Sequence, residues 1–199
     1  VHRRAFTLIE IMVVVVIVGV LSAMILPRFG SQRDNARLRA ESERLLAAMR
    51  FAQTYATGHQ TECRILFKET DEDEIAYRLE ISDDDSESGY APLSSMTVKP
   101  TTWPVSIKLD TIDVYPGVDA GVSRVDEGGG QDGGAGELDA DGERAVFFYP
   151  SGTSDTALIR MANAYRMISL VVEPNTGRAQ IIRGRVEQAP NLREDLDAD

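Results

Sequence analysis

The chain has 199 residues, 43% of them hydrophobic, and its 21 Lys and Arg against 32 Asp and Glu give a formal net charge of −11. That length holds one membrane helix and one domain of ordinary size. The acidic balance argues against a general attraction to nucleic acid or anionic lipid, and the single cysteine, Cys63, excludes an intramolecular disulfide.

Charge is unevenly spread. Eight Arg against 4 acids leave residues 1–50 at +4, and 13 Lys or Arg against 28 acids leave the remainder at −15. Residues 6–26 are an apolar run with one charge inside it, Glu10. As a helix the run reaches roughly 31 Å, enough for a hydrocarbon core of about 30 Å. A carboxylate at that depth costs at least ~2.5 kcal/mol, and no Lys, Arg or His lies within the run to neutralise it. A secretory signal peptide, with Leu21-Ser22-Ala23 as its cleavage site, is disfavoured by Glu10 and by the length of the apolar run. Loop charge leaves orientation open, because Arg3 and Arg4 precede the span while Arg28, Arg33, Arg37 and Arg39 follow it.

The helix is expected to continue as an amphipathic half over residues 27–57. Leu38, Leu45, Met49, Ala52 and Ala56 recur on one face, and Gly58 is a natural C′ residue. Pro27 interrupts the run near the membrane exit. It reads equally as a tolerated interfacial kink or as a weak point that lets the helix loosen on packing. Gly19 and Ala23 form a small-xxx-small pair that would let two helices approach.

From residue 58 to 186 the pattern turns to strands. The candidates are 62–68, 74–81, 96–99, 105–110, 112–115, 144–149, 157–161, 165–173 and 179–186, with Pro174-Asn175-Thr176-Gly177 as a hairpin turn between the last two. Two loops separate them: the acidic run 83–89 and the glycine-rich, acidic stretch 126–143. Residues 187–199 form an acidic tail. The fold class is α+β: a long N-terminal helix packed on a mainly antiparallel β domain of two small sheets.

Catalytic chemistry finds no support. The two histidines are His2, near the start, and His59, at the end of the helix, and no Gly-x-Ser-x-Gly elbow exists. Glu137-Leu138-Asp139-Ala140-Asp141-Gly142 opens like a calcium-binding loop, but Phe148 stands where a bidentate Glu is required. The segment reads as a solvated loop, and no metal or cofactor is expected.

Arg3-Arg4, the small residue Ala5, then Phe6-Thr7-Leu8-Ile9-Glu10 and an apolar helix resemble the class III signal of type IV pilins and type II secretion pseudopilins. Ala5 stands where the family usually has Gly. The resemblance implies that residues 1–5 are a leader, that prepilin peptidase cuts between Ala5 and Phe6, and that Phe6 is N-methylated. It further implies that Glu10 directs assembly, its counter-ion being the new α-amino group of Phe6 in the same chain or a neighbour, reinforced by the helix dipole. Phe147-Phe148-Tyr149-Pro150-Ser151-Gly152, Ile168 to Val172 and Asn175-Thr176-Gly177-Arg178 are similar to the C-terminal half of GspH/FimT-type minor pseudopilins. This implies an inner-membrane, single-pass protein with a cytoplasmic N-terminus and a periplasmic domain. Its partners would be prepilin peptidase, other major and minor pseudopilins and the inner-membrane secretion platform, and its role a place in the pseudopilus tip that drives protein export. The alternative is a FimT-like minor pilin that binds DNA for natural transformation, with Arg178, Arg183 and Arg185 as a basic stripe. Gly184-Arg185-Val186-Glu187 lacks the second Arg of that family's Gly-Arg-x-Arg motif.

Overall fold

The computed structural model describes residues 7–25, 28–70, 74–83, 85–86, 89–93, 100–117, 119 and 143–186. Ala5, Phe6, Pro27, the expected strand at 96–99, nearly all of the glycine-rich loop and the acidic tail lie outside the described residues.

Helix α1 spans Leu8–Ile25 and α2 spans Arg28–His59. Every described α1 side chain through Ser22 is exposed, with no polar face to account for it: Leu8 is 78% accessible and even Val13 is 52%. A helix that is apolar all round belongs in lipid or in a protein core. Among the described residues no helix is long and apolar enough to cross a membrane. The 18 residues of α1 reach about 27 Å, a few ångströms short of a hydrocarbon core.

Helix α2 buries the expected stripe. Leu38, Leu45, Met49, Ala52 and Ala56 are fully inaccessible, and Ala48 joins them. Ser42 falls in the same stripe, its hydroxyl donating to the Arg39 carbonyl at 2.8 Å, so a polar residue occupies a buried turn without an orphaned group. The helix ends later than Gly58 suggested. Gln60 adopts φ +53° and the Thr61 amide donates to the Ala56 carbonyl at 3.2 Å, a Schellman closure built on Gln60. The Gln60 side chain donates to the Thr57 carbonyl at 2.7 Å, satisfying a second helix-end acceptor and offsetting a left-handed non-glycine residue.

Among the described residues nine strands follow, in two sheets whose pairings are all antiparallel: β1 Cys63–Glu69, β2 Ile75–Ser82, β3 Tyr90–Pro92, β4 Thr101–Thr102, β5 Lys108–Tyr115, β6 Glu143–Phe148, β7 Thr156–Ala162, β8 Met167–Glu173 and β9 Arg178–Arg183. The first sheet runs β3-β2-β1-β6, with β4 also on β2; the second runs β5-β7-β8-β9. The strands expected at 105–110 and 112–115 are one strand with a register shift between Leu109 and Thr111. Val105 and Ser106 are its lead-in turn, closed by the Ile107 amide on the Pro104 carbonyl at 2.8 Å.

Helix α2 lies against β9, β1 and β8, so both sheets share one core beneath it. Trp103, 1% accessible, meets Phe67 and Tyr77 edge-on at 6.4 Å. Asp155 cross-links the sheets. One carboxylate oxygen accepts from Gly117 N at 2.9 Å and from Tyr149 Oη at 2.8 Å, and the other from Phe147 N at 3.2 Å.

Candidate assembly site

Thr7 is the N-cap of α1. Its hydroxyl accepts from the Glu10 amide at 3.3 Å, while its carbonyl accepts from the amides of Glu10 at 3.1 Å and Ile11 at 3.3 Å. Thr7-Leu8-Ile9-Glu10 is therefore the Ser/Thr-x-x-Glu pattern of a capping box, with Glu10 at N3. That spacing is legible in the sequence itself. Glu10 thus sits in the first turn of α1, where partial positive charge from unpaired backbone amides favours a carboxylate before any ammonium is added. Gly19 faces open space, leaving room for another helix on that side.

The two turns that carry the C-terminal resemblance come together in space. Tyr149 to Thr153 closes with Gly152 N on the Tyr149 carbonyl and Tyr149 N on the Thr153 carbonyl, both at 3.0 Å, and Gly152 takes φ +92°. Gly177, at φ +59°, lies against the Gly152 carbonyl, and the Gln53 side chain of α2 donates to the carbonyl of Thr176. The helix and both motif turns thus meet at one corner.

Near this corner, Asp119 accepts from Ser151 Oγ at 2.5 Å and Thr153 Oγ1 at 2.7 Å. The hydrogen bond from Ser151, then that from Thr153, hold its carboxyl below the usual range. These bonds tie a loop to a turn. His59, the base candidate of the sequence, stacks on Tyr55 with ring centroids 4.0 Å apart. Among the described residues no group of His, Cys, Asp and Glu is arranged to hold a metal ion. Cys63 is inaccessible, and burial first, then the neighbouring Glu62, pushes its thiol up to about 12, so it is protonated and inert at neutral pH.

Arg178, Arg183 and Arg185 do not share one strand face. Strand β9 stops at Arg183, and Gly184, at φ +107°, turns the chain aside. The Ser169 hydroxyl then donates to the Gly184 carbonyl at 2.8 Å and accepts from the Val186 amide at 3.2 Å, so Arg185 lies in a crossing segment rather than on the strand face of Arg183. Arg178 and Arg183 sit at opposite ends of β9, on opposite faces by the strand's twofold alternation.

The family described as "Prokaryotic N-terminal methylation motif" matches residues 2–26. No curated protein matches the chain. Among solved structures, the minor pseudopilin EPSH from the type II secretion system of Vibrio cholerae matches with a TM-score of 0.50 at 12% identity, over 77% of this chain and 98% of that one. That alignment reaches past the motif and spans nearly all of the solved chain, and at this identity it speaks for the fold. The chain carries a prepilin-type N-terminal methylation motif and, behind it, the α+β fold of a minor pseudopilin.

Proposed function

We propose that this protein is a minor pseudopilin of a type II secretion system. Prepilin peptidase cuts between Ala5 and Phe6 and methylates the new terminus. The chain then waits in the inner membrane, held by residues 6–26, with its domain in the periplasm. From there it joins the tip of the pseudopilus that drives export across the outer membrane. The observation that carries the reading is the pairing of a methylation motif over residues 2–26 with an α1 whose apolar side chains find no cover among the described residues. Such a helix requires lipid before assembly and other subunits' helices afterwards. Glu10 is the one charge in α1 and carries the assembly role. Pro27, between the helices, is where the rod would yield on packing.

The test is the intact mass of the membrane-extracted protein together with a filament-incorporation assay. A mature chain beginning at N-methylated Phe6 is expected. Glu10→Ala is expected to insert normally and to be depleted from filaments. A chain that keeps residues 1–5, or a Glu10→Ala variant that incorporates like the parent, would overturn the proposal.

A further inference from the structure

The net acidity of the domain hides a polar arrangement along its length. Asn163, in the β7–β8 hairpin, donates to the Asn35 side chain at 3.2 Å, and Thr176, in the β8–β9 turn, receives the Gln53 side chain. Strand β8 therefore runs alongside α2 in the same sense, and the hairpin end of the second sheet lies beside the start of α2. Asn35 is about 10 Å along the helix from Arg28, and only residues 26 and 27 separate α2 from α1. The hairpin end is thus the end of the domain nearest the apolar helix.

Cations collect at that end. Tyr165 is 58% accessible and Arg166 beside it is exposed. The Gly184 amide donates to the Met167 carbonyl at 3.2 Å, bringing Arg183 and Arg185 to the same rim. Lys108 pairs with Ala162 at the start of β5, and α2 adds exposed Arg33 and Arg37. Among the described residues none of these six cations has an ion-pair partner. The acids nearest them in the chain are Asp34 and Glu41 on α2, the latter paired with Arg44, Asp110 on β5, and Glu187, two residues beyond Arg185. Glu173 and Asp119 belong to the opposite end. Six cations stand against the four nearer acids, and with a screening length of about 8 Å at physiological salt the local balance counts for more here than the net charge of the whole domain.

We propose that this end of the domain docks on the anionic phospholipid headgroups of the membrane that α1 enters, with Arg166, Arg183 and Arg185 meeting phosphates and Tyr165 seated at the interface. The proposal rests on the reading of α1 as an anchor. It assigns Arg183 and Arg185 to lipid instead of DNA, because Arg178, which a nucleic-acid stripe would need, lies about 16 Å away at the other end of β9. Docking would hold the domain against the bilayer until a filament draws it off.

The test is amide hydrogen exchange on the full chain in nanodiscs of phosphatidylcholine alone and of phosphatidylcholine mixed with phosphatidylglycerol. Exchange at residues 163–167 and 184–186 is expected to slow in the anionic discs and to recover at high salt. Arg166→Gln and Arg183→Gln are each expected to give back roughly fivefold of the protection. Equal exchange in the two lipids, with the chain incorporated in both, overturns the docking proposal and leaves the anchor reading standing. A chain that enters neither disc overturns the anchor reading and this proposal with it. Protection that survives high salt, or that duplex DNA confers on chains in neutral discs, overturns the assignment to lipid.

Discussion

Gly177 lies so close to Gly152 that a β-carbon on it would stand 2.8 Å from the Gly152 carbonyl oxygen and 3.1 Å from the Gln53 side chain. Position 177 also holds φ +59°, where an L side chain costs about 1–2 kcal/mol. Gly177→Ala is therefore expected to destabilise the protein by about 2–4 kcal/mol, the backbone cost adding to overpacking against a carbonyl that cannot retreat. Gly58→Ala is the control. Position 58 lies within α2 and faces open space, so alanine there is expected to add about 0.5–1 kcal/mol. Urea denaturation of the detergent-solubilised chain reads both, and the two shifts should have opposite sign.

Arg160 Nη2 donates to Asp113 Oδ2 at 2.9 Å across β5 and β7, with both side chains almost fully inaccessible. Among the described residues Asp113 Oδ1 and Arg160 Nε have no hydrogen-bond partner, so the pair is incompletely satisfied. Asp113→Leu strands the guanidinium and is expected to cost about 3–5 kcal/mol. The double variant Asp113→Leu/Arg160→Met removes both charges and is expected to recover most of that loss. If the double variant is no more stable than the single, the damage comes from packing rather than from an uncompensated charge.

Thr7 and Glu10 make two explanations of the carboxylate separable. A glutamine at N3 keeps the capping-box pattern and loses the charge. Glu10→Gln is therefore expected to preserve the start of α1, read by hydrogen exchange at residues 8–11, while depleting the protein from filaments as strongly as Glu10→Ala. Thr7→Val removes the hydroxyl that accepts from the Glu10 amide and is expected to cost about 1 kcal/mol of helix-start stability. Full incorporation of Glu10→Gln would assign the residue to capping alone.

Alkali should weaken the fold through Cys63. Its folded pKa lies above the ordinary 9.0, at about 12, so its contribution is whole below about pH 9. Between pH 9 and about 12 the unfolded chain loses the proton while the folded chain keeps it, and stability falls as pH rises. Tyr77 acts in the same direction, raised first by burial and partly lowered by its hydrogen bond with Thr101. Denaturation midpoints measured through this window are expected to decline, and Cys63→Ala to flatten part of the decline.

The sequence made some of this legible for identifiable reasons. The buried stripe of α2 was readable because Leu38, Leu45, Met49, Ala52 and Ala56 keep a helical period. Ile75, Tyr77 and Leu79 kept a strand's alternation in β2. Strands β3 and β4 were not readable: they are three and two residues long, and Pro92 in β3 signals against a strand. Asp155 was missed because its partners, Gly117, Phe147 and Tyr149, are gathered by the packing of two sheets, which no local pattern encodes. Alternation with Ile75, Tyr77 and Leu79 would turn Glu80 to solvent. It is 2% accessible because Arg64 Nε and Arg78 Nε each donate to it at 2.6 Å, one arginine from the neighbouring strand and one from its own. Arg183 and Arg185 were read on one strand face, but Gly184 between them ends the strand, and periodicity does not see where a strand stops.

Cys63 has a practical consequence. It is the sole cysteine in 199 residues and lies wholly inside the core. A cysteine engineered onto the surface, at Ala164 on the hairpin or Ser151 at the far corner, would be the one thiol that a maleimide probe reaches. Either end of the molecule can thus carry a dye or spin label without first stripping the native chain of its own sulfhydryl.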